Sequence, residues 1–140
     1  MGDEPGGSLQ FRMLGPLEAW RGGTLLRLGG ERQRALLALL LLHANELVRT
    51  EQLVDQLLGE ELSEQALNTT RVAISRLRRV LEDGEPGGLL VTKAGGYVLK
   101  AGPGQVDAAC FERLVSEGRG LLAGGDAASA VARLREALAL

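Results

Sequence analysis

One stretch constrains this chain more than any other: Asn68–Leu81, NTTRVAISRLRRVL. Wound at about 100° per residue, Leu67, Thr70, Ala73, Ile74, Leu77 and Leu81 fall on one side of a helix. Asn68, Arg71, Val72, Ser75, Arg76 and Arg79 fall on the other. The first face needs a core to pack on. The second offers an amide, a hydroxyl, three guanidinium forks and one methyl-bearing side chain, and no carboxylate lies between Asn68 and Arg79. Base edges and phosphates of the DNA major groove call for that set: Arg to guanine, Asn to adenine, an apolar contact to the thymine methyl. A merely solvated helix face can carry the same residues, because an Arg-rich stripe has many uses. What flanks the helix therefore decides its reading.

Before it, Thr50 is a good N-cap for a helix Glu51–Leu58 with Leu53, Val54, Leu57 and Leu58 turned inward, and Gly59 ends that helix. Ser63 then caps Glu64–Leu81. Two capped helices across a short Gly-containing turn, the second bearing the polar face, make a helix-turn-helix. The exposed start of the first, near Arg49 and Thr50, is placed to meet a phosphate through free N–H groups. After the reader helix, Asp83–Gly88 is a turn-forming spacer. Leu89–Lys93 and Tyr97–Lys100 follow as two β runs joined by Ala94-Gly95-Gly96, a hairpin with Lys93 at its tip. A basic hairpin there is a wing: it can reach the minor groove, or its phosphates, beside the major groove that the helix fills.

Further upstream, Leu9–Leu14, Leu17–Trp20 and Thr24–Leu28 are short β runs separated by Gly15-Pro16 and Arg21-Gly22-Gly23, which predicts an antiparallel meander. Trp20, the single tryptophan, reads as an aromatic anchor where sheet meets helix. Gly29-Gly30 ends the meander. Glu31–Ala44 is a helix apolar on nearly every side from Ala35 to Leu42, which predicts a central position. His43, at its end, reads as a partner of the helix dipole and is assigned no chemistry.

Net charge is −2, which speaks against a generic polyanion binder and makes any basic surface local. Residues 62–102 supply it, with Arg71, Arg76, Arg78, Arg79, Lys93 and Lys100 against Glu64, Glu82, Asp83 and Glu85. The one cysteine, Cys110, excludes an internal disulfide and offers no metal spacing, so a reducing cytoplasm is expected and Cys110 reads as a small core residue. Residues 1–8 have no basic or apolar run of a signal peptide and read as a disordered lead. The longest apolar run, Ala35–Leu42, is far short of the ~20 residues a membrane span needs. No phosphate-cradling G-x-x-x-x-G-K-[ST], no G-x-S-x-G and no Cys/His ligand spacing is present, so no enzyme, metal or cofactor is expected.

Beyond Ala101-Gly102-Pro103-Gly104, read as a linker, Asp107–Ala123 and Asp126–Leu140 form an antiparallel helix pair turning at Gly124-Gly125. Phe111, Leu114, Leu121 and Leu122 are expected to face Val131, Leu134 and Leu138. The pair resembles one tetratricopeptide-like unit. Such units bury their faces by stacking, so self-association, or docking on the preceding domain, is expected.

The fold predicted is α+β: a winged helix-turn-helix at 9–102, with N-terminal antiparallel meander, three helices and C-terminal hairpin wing, then one helix pair at 103–140. In this order of parts the chain resembles the Streptomyces antibiotic regulatory protein family, whose DNA-binding portion is an OmpR/PhoB-type winged helix. The stretches that carry the likeness are LGGERQRALLALLLLHAN, ALNTTRVAISRLRRVLE, TKAGGYVL and VDAACFERLVSEGRGLL. The last resembles the start of a bacterial transcriptional activator domain, of which only the first two helices are expected here. With eight residues before Leu9, no receiver domain is expected.

The resemblance implies a DNA-binding activator of clustered genes, often for secondary metabolism, that binds direct repeats in tandem and engages RNA polymerase holoenzyme. It implies DNA contacts from Thr69, Arg71, Ser75, Arg76 and Arg79 on the reader helix. In the wing, Lys93-Ala94-Gly95-Gly96-Tyr97 stands where the family usually has Arg-Gly-x-Gly-Tyr. Lys lacks the planar fork of Arg, so Lys93 and Gly95 are expected at phosphates, and Tyr97 to pack under the hairpin with its hydroxyl reaching a phosphate. A protein-interaction module working through the helix pair is the alternative.

Overall fold

The computed structural model describes residues 9–82 and 88–140. The expected disordered lead, 1–8, and most of the expected turn spacer, 83–87, lie outside the described residues.

Three short strands open the chain: β1 (Leu9–Arg12), β2 (Glu18–Arg21) and β3 (Thr24–Leu25), antiparallel in the order β1-β2-β3. They form because side chains alternate: Leu9, Phe11 and Ala19 turn inward, whereas Gln10 and Arg12 turn to solvent. Trp20 pairs with Gln10, on the outward face. The expected anchor between sheet and helix is thus corrected: the ring is half-buried, donates from Nε1 to Glu18 Oε1 at 3.0 Å and lies under the Arg12 guanidinium, 5.3 Å from its centroid. β3 is also shorter than expected. Leu28 reaches the core from irregular chain.

Helix α1 (Glu31–Leu42) starts after Gly29, whose φ of +98° turns the chain. It buries Gln33, Leu36, Leu37, Leu40 and Leu41, and leaves Ala35 and Leu42 exposed, so the helix packs by one side and is not surrounded. The i, i+3, i+4 spacing decides this even in an all-apolar run. At its end Asn45 takes a left-handed φ of +68°. Its N–H donates to Leu99 O at 2.8 Å, and its amide exchanges two hydrogen bonds with the Ala101 backbone, 3.0 and 3.1 Å. His43 Nδ1 lies 3.6 Å from Glu46 Oε1.

Between α1 and the next helix, the chain contains a strand, β4 (Val48–Arg49). α2 (Thr50–Leu53) runs on into a π-helical turn, Val54–Leu58, closed by Gly59 at φ +63°. That widening leaves Leu57 and Leu58 half-buried, while Leu53 and Val54 are in the core. Arg49, not Thr50, is the N-cap residue, and no side chain caps this helix. α3 (Glu64–Glu82) is capped as expected: the Ala66 N–H donates to Ser63 Oγ at 3.0 Å. Its buried side is Ala66, Thr70, Ala73, Ile74, Leu77 and Leu81, with the Thr70 hydroxyl donating to Ala66 O at 2.9 Å.

Strands β5 (Leu90–Lys93) and β6 (Gly96–Leu99) form the hairpin, and β4 adds to it in the order β4-β6-β5. Leu36, Leu37, Leu40, Leu53, Leu77, Leu81, Leu90 and Leu99 fill the centre of one core, which Phe11, Val48 and Val106 close. The expected linker is tied down. Phe11 N–H donates to Gln105 O at 2.6 Å, Gln105 Nε2 to Leu9 O at 3.1 Å, and Val106 bridges Phe11 in parallel. Asp107 then accepts from the N–H groups of Met13 and Leu14 at 2.6 and 3.2 Å.

α4 (Asp107–Ala123) and α5 (Ala127–Leu138) pack as an antiparallel pair. Their buried residues are Leu114, Gly118, Ala130 and Ala137. Leu122, Val131 and Leu138 face outward, contrary to the expected pairing. The reason is closeness: a Cβ on Gly118 would lie 2.9 Å from Leu134 Cγ and Cδ2, so Gly118, Ala130 and Ala137 share the seam with the expected Leu114 and Leu134, and no room is left for further large side chains.

Candidate nucleic-acid interface

Asn68, Arg71, Val72, Ser75, Arg76 and Arg79 are all exposed along α3, and Thr69 is half-buried at their edge. No carboxylate among the described residues lies within 4.0 Å of Arg71, Arg76 or Arg79. Among the described residues, these guanidinium groups are therefore not spent on carboxylates. The apolar residues of the opposite side lock the helix to α1 and α2, so the polar face projects from a rigid support.

The wing is fastened to α3 by two of its side chains. Arg78 donates to Leu90 O from Nε and Nη2, at 3.0 and 2.9 Å, and to Thr92 Oγ1 at 2.9 Å. Glu82, almost fully buried, accepts from the Leu90 N–H at 2.9 Å. One turn apart on α3, they hold both backbone groups of the same β5 residue. Sequence reasoning missed both. The signal available was their i, i+4 spacing at the edge of the reader face, with Glu82 as the first carboxylate after the arginines.

The wing's tip is set by its glycines. Ala94 and Gly95 make the turn, with φ +86° at Gly95, a conformation that favours glycine. At Gly96 a Cβ would run into the Val48 carbonyl and approach Arg49 Cα to 3.0 Å, so only glycine lets β4 come this close. Register then places Arg49, Gly96 and Lys93 in one row across the three strands, with Arg49 and Lys93 exposed on either side of the glycine. Two cations read separately from the sequence thus share one end of the sheet. Thr50 does not present a free N–H there: it donates to Gly95 O at 3.1 Å, and the Thr50 hydroxyl lies 3.5 Å from the same oxygen. Tyr97 is only 8% exposed and belongs to the core, so the ring supports the wing.

Among the described residues, no group of three or more His, Cys, Asp or Glu side chains could hold a metal ion. No described helix is long and apolar enough to cross a membrane. Cys110 is half-buried on α4.

Residues 26–99 match the family model described as "Transcriptional regulatory protein, C terminal". The chain belongs to that family. Its OmpR/PhoB-type winged helix is thereby established, in agreement with the resemblance read from the residues. The chain is 41% identical to the regulatory protein AfsR of Streptomyces coelicolor over 99% of its own length and 14% of that protein's. With the regulatory protein DnrI of Streptomyces peucetius it shares 34% over 94% of this chain and 51% of that one. The structure of Mycobacterium tuberculosis EmbR in complex with a low-affinity phosphopeptide superposes with a TM-score of 0.84, at 30% identity over 93% of this chain and 35% of that one. The chain therefore spans between about a seventh and a half of these relatives, all of which are named as regulators or carry the same fold.

Proposed function

We propose that this chain reads duplex DNA as the DNA-binding part of a transcriptional activator. In this reading α3 enters the major groove with Asn68, Thr69, Arg71, Val72, Ser75, Arg76 and Arg79 toward bases and phosphates. The wing places Lys93 and Gly95, with Arg49 beside them, on the adjacent minor groove or its backbone. Thr50, whose N–H is taken by Gly95 O, and Tyr97, buried beneath the hairpin, act as supports of the wing. The observation that carries the reading is the free arginine face of α3 held beside a cationic sheet end by Arg78 and Glu82. Residues 9–102 act as the DNA-binding unit, and 103–140 contribute the first helix pair of an activator domain. Binding in tandem on direct repeats, as a homodimer on DNA, engagement of RNA polymerase holoenzyme, a cytoplasmic location and the lack of catalysis or cofactor all follow the behaviour of regulators of this kind.

Selection of bound duplexes from a random pool tests the proposal, and an enriched direct repeat is the expected result. Affinity should fall steeply with salt, with a log–log slope of about −0.9 per phosphate contacted. Arg71→Ala and Arg76→Ala should weaken every duplex, whereas Asn68→Ala should relax preference at one base pair, worth about 1–3 kcal/mol. Equal loss on selected and random DNA for Asn68→Ala would remove base reading from that residue. A second reading, a protein-interaction module, draws on the outward Leu122, Val131 and Leu138 of the helix pair. It requires partner binding that is insensitive to salt and to the α3 arginines.

A further inference from the structure

We propose that Gln105, Val106 and Asp107 strap the start of α4 to β1, so that the winged helix and the helix pair turn as one rigid body. The pair is then presented at one fixed angle to the reader helix. The strap belongs to the free chain and goes beyond the DNA reading; only its consequence on a duplex rests on that reading.

Units joined by a short Gly- and Pro-containing segment ordinarily swivel against one another. Here the chain between β6 and α4 is held almost residue by residue. The Lys100 N–H donates to Leu89 O at 2.8 Å, and Ala101 exchanges its two bonds with Asn45 at the end of α1. The Gly102 N–H donates to Gln105 Oε1 at 2.5 Å, and the Gln105 N–H donates back to Gly102 O at 3.2 Å. That second bond closes a β-turn with Pro103 and Gly104 at its two central places, Gly104 at φ +84°. Proline before a left-handed glycine is what such a turn selects, so the composition that suggests a linker is the signature of a turn.

Beyond the turn, successive residues bond to the opposite end of the chain. The Phe11 N–H donates to Gln105 O at 2.6 Å, Gln105 Nε2 donates to Leu9 O at 3.1 Å, and Val106 bridges Phe11 in parallel. The chain thereby pairs with the edge of β1 that β2 leaves free. Val106 is 5% exposed, shares the core with Phe11, and is also the N-cap residue of α4, so the sheet edge runs straight into the helix. Asp107, the first residue of α4, spends its carboxylate on β1's end: its two oxygens accept the Met13 and Leu14 N–H groups at 2.6 and 3.2 Å. Hydrogen bonds to an ionised acceptor are the strong ones. Swinging α4 about its start would break them together with the bridge and would draw Val106 out of the core. Ties on backbone and side chains of adjacent residues leave no single bond to serve as a pivot.

Residual dipolar couplings, measured on the whole chain without DNA, test the strap. In the wild type one alignment tensor should fit α1, α3, α4 and α5 together, and a separate tensor for the helix pair would overturn the proposal. Gln105→Ala combined with Asp107→Ala should split the fit into two tensors. The same change should speed amide exchange at Met13 and Leu14 about ten- to a hundredfold, while α1 and α3 keep their protection. A single tensor in this double variant would mean that the pair is held elsewhere, and the strap is overturned. Should α3 lose protection too, Asp107→Ala alone decides: it should scale down the couplings of α4 and α5 relative to those of α3, and unchanged couplings there would overturn the strap. Bound to a duplex enriched by the wild type from a random pool, the chain should again fit one tensor. If the wild type binds no duplex, the DNA reading fails, while a single tensor in the free chain still supports the strap.

Discussion

The winged helix and the helix pair behind it bury apolar surface in opposite ways. The first gathers Phe11, Leu36, Leu37, Leu40, Leu53, Leu77, Leu81, Leu90 and Leu99 from both sheets and three helices into one interior. The second closes on Gly118, Ala130 and Ala137 with Leu114 and a half-buried Leu134, and sends Leu122, Val131 and Leu138 outward. Large side chains from many elements make a core whose parts fix one another, and a reader face needs that rigidity. A seam of small residues brings two helices close but leaves their remaining apolar surface available to another element.

If that contrast is correct, the largest effect belongs to the interior. Leu77→Ala, behind the reader face, should cost about 2–5 kcal/mol in urea denaturation, since a fully buried leucine leaves a cavity. A cost under 1 kcal/mol would mean that the interior is not close-packed there. Next comes the wing clamp. Glu82→Ala strands the buried Leu90 N–H and should cost about 1–3 kcal/mol, with weaker binding to all duplexes because the wing loses its position. Wild-type binding by this variant would place the fastening of the wing elsewhere.

The helix pair gives a smaller pair of effects. Gly118→Val forces Leu134 aside and should cost about 1–3 kcal/mol, read by loss of amide-exchange protection in α4 and α5 while α3 keeps its own. Leu138→Ala, at 81% exposed, should stay within about 0.5 kcal/mol of wild type. A large cost at Leu138 would show that its face is covered in solution, which would erase the contrast.

The smallest effect is a pH dependence at the start of α5. The Ser129 backbone N–H donates to Asp126 Oδ1 at 3.1 Å, and this bond holds the carboxyl below the usual aspartate value of 3.8. A depressed carboxyl stabilises the fold above its unfolded value and loses that contribution as pH falls through the folded one. Protection of the Ser129 amide should therefore persist at neutral pH and weaken only under acid conditions below the ordinary carboxylate range. Asp126→Asn should abolish that dependence.

Much of the fold was legible along the chain, and the reasons are local. The two faces of α3 follow from a 3.6-residue period, the cap at Ser63 from its side chain, and the hairpin from Ala94-Gly95-Gly96 between two β runs. Errors gathered where distant parts meet. Trp20 reads as an anchor between sheet and helix because it is aromatic, yet its strand register sets it beside Gln10 on the outer face. The chain just after the expected linker is strapped by Gln105 to Leu9 of β1 and by Asp107 to Met13 beyond that strand, each more than 90 positions away, which no composition window can register. In the helix pair, Leu114 and Leu134 lie in the expected seam, but Ala130, Ala137 and Gly118 replace the other large residues because they fit the closer approach that the pair adopts.

The arginines of α3 draw the division most sharply. Sequence periodicity alone established that Arg71, Arg76 and Arg79 lie opposite the leucines, because side-chain direction on a helix is fixed by backbone winding. It set Arg78 about 200° round the winding from Arg76, off the reader face, but could not say what either guanidinium would meet. Packing decided that: β5 docks against one edge of the helix and takes Arg78 into its backbone, whereas Arg76 faces the open groove beside α1. Direction is a property of the local chain, but a partner is a property of whichever element the fold brings alongside.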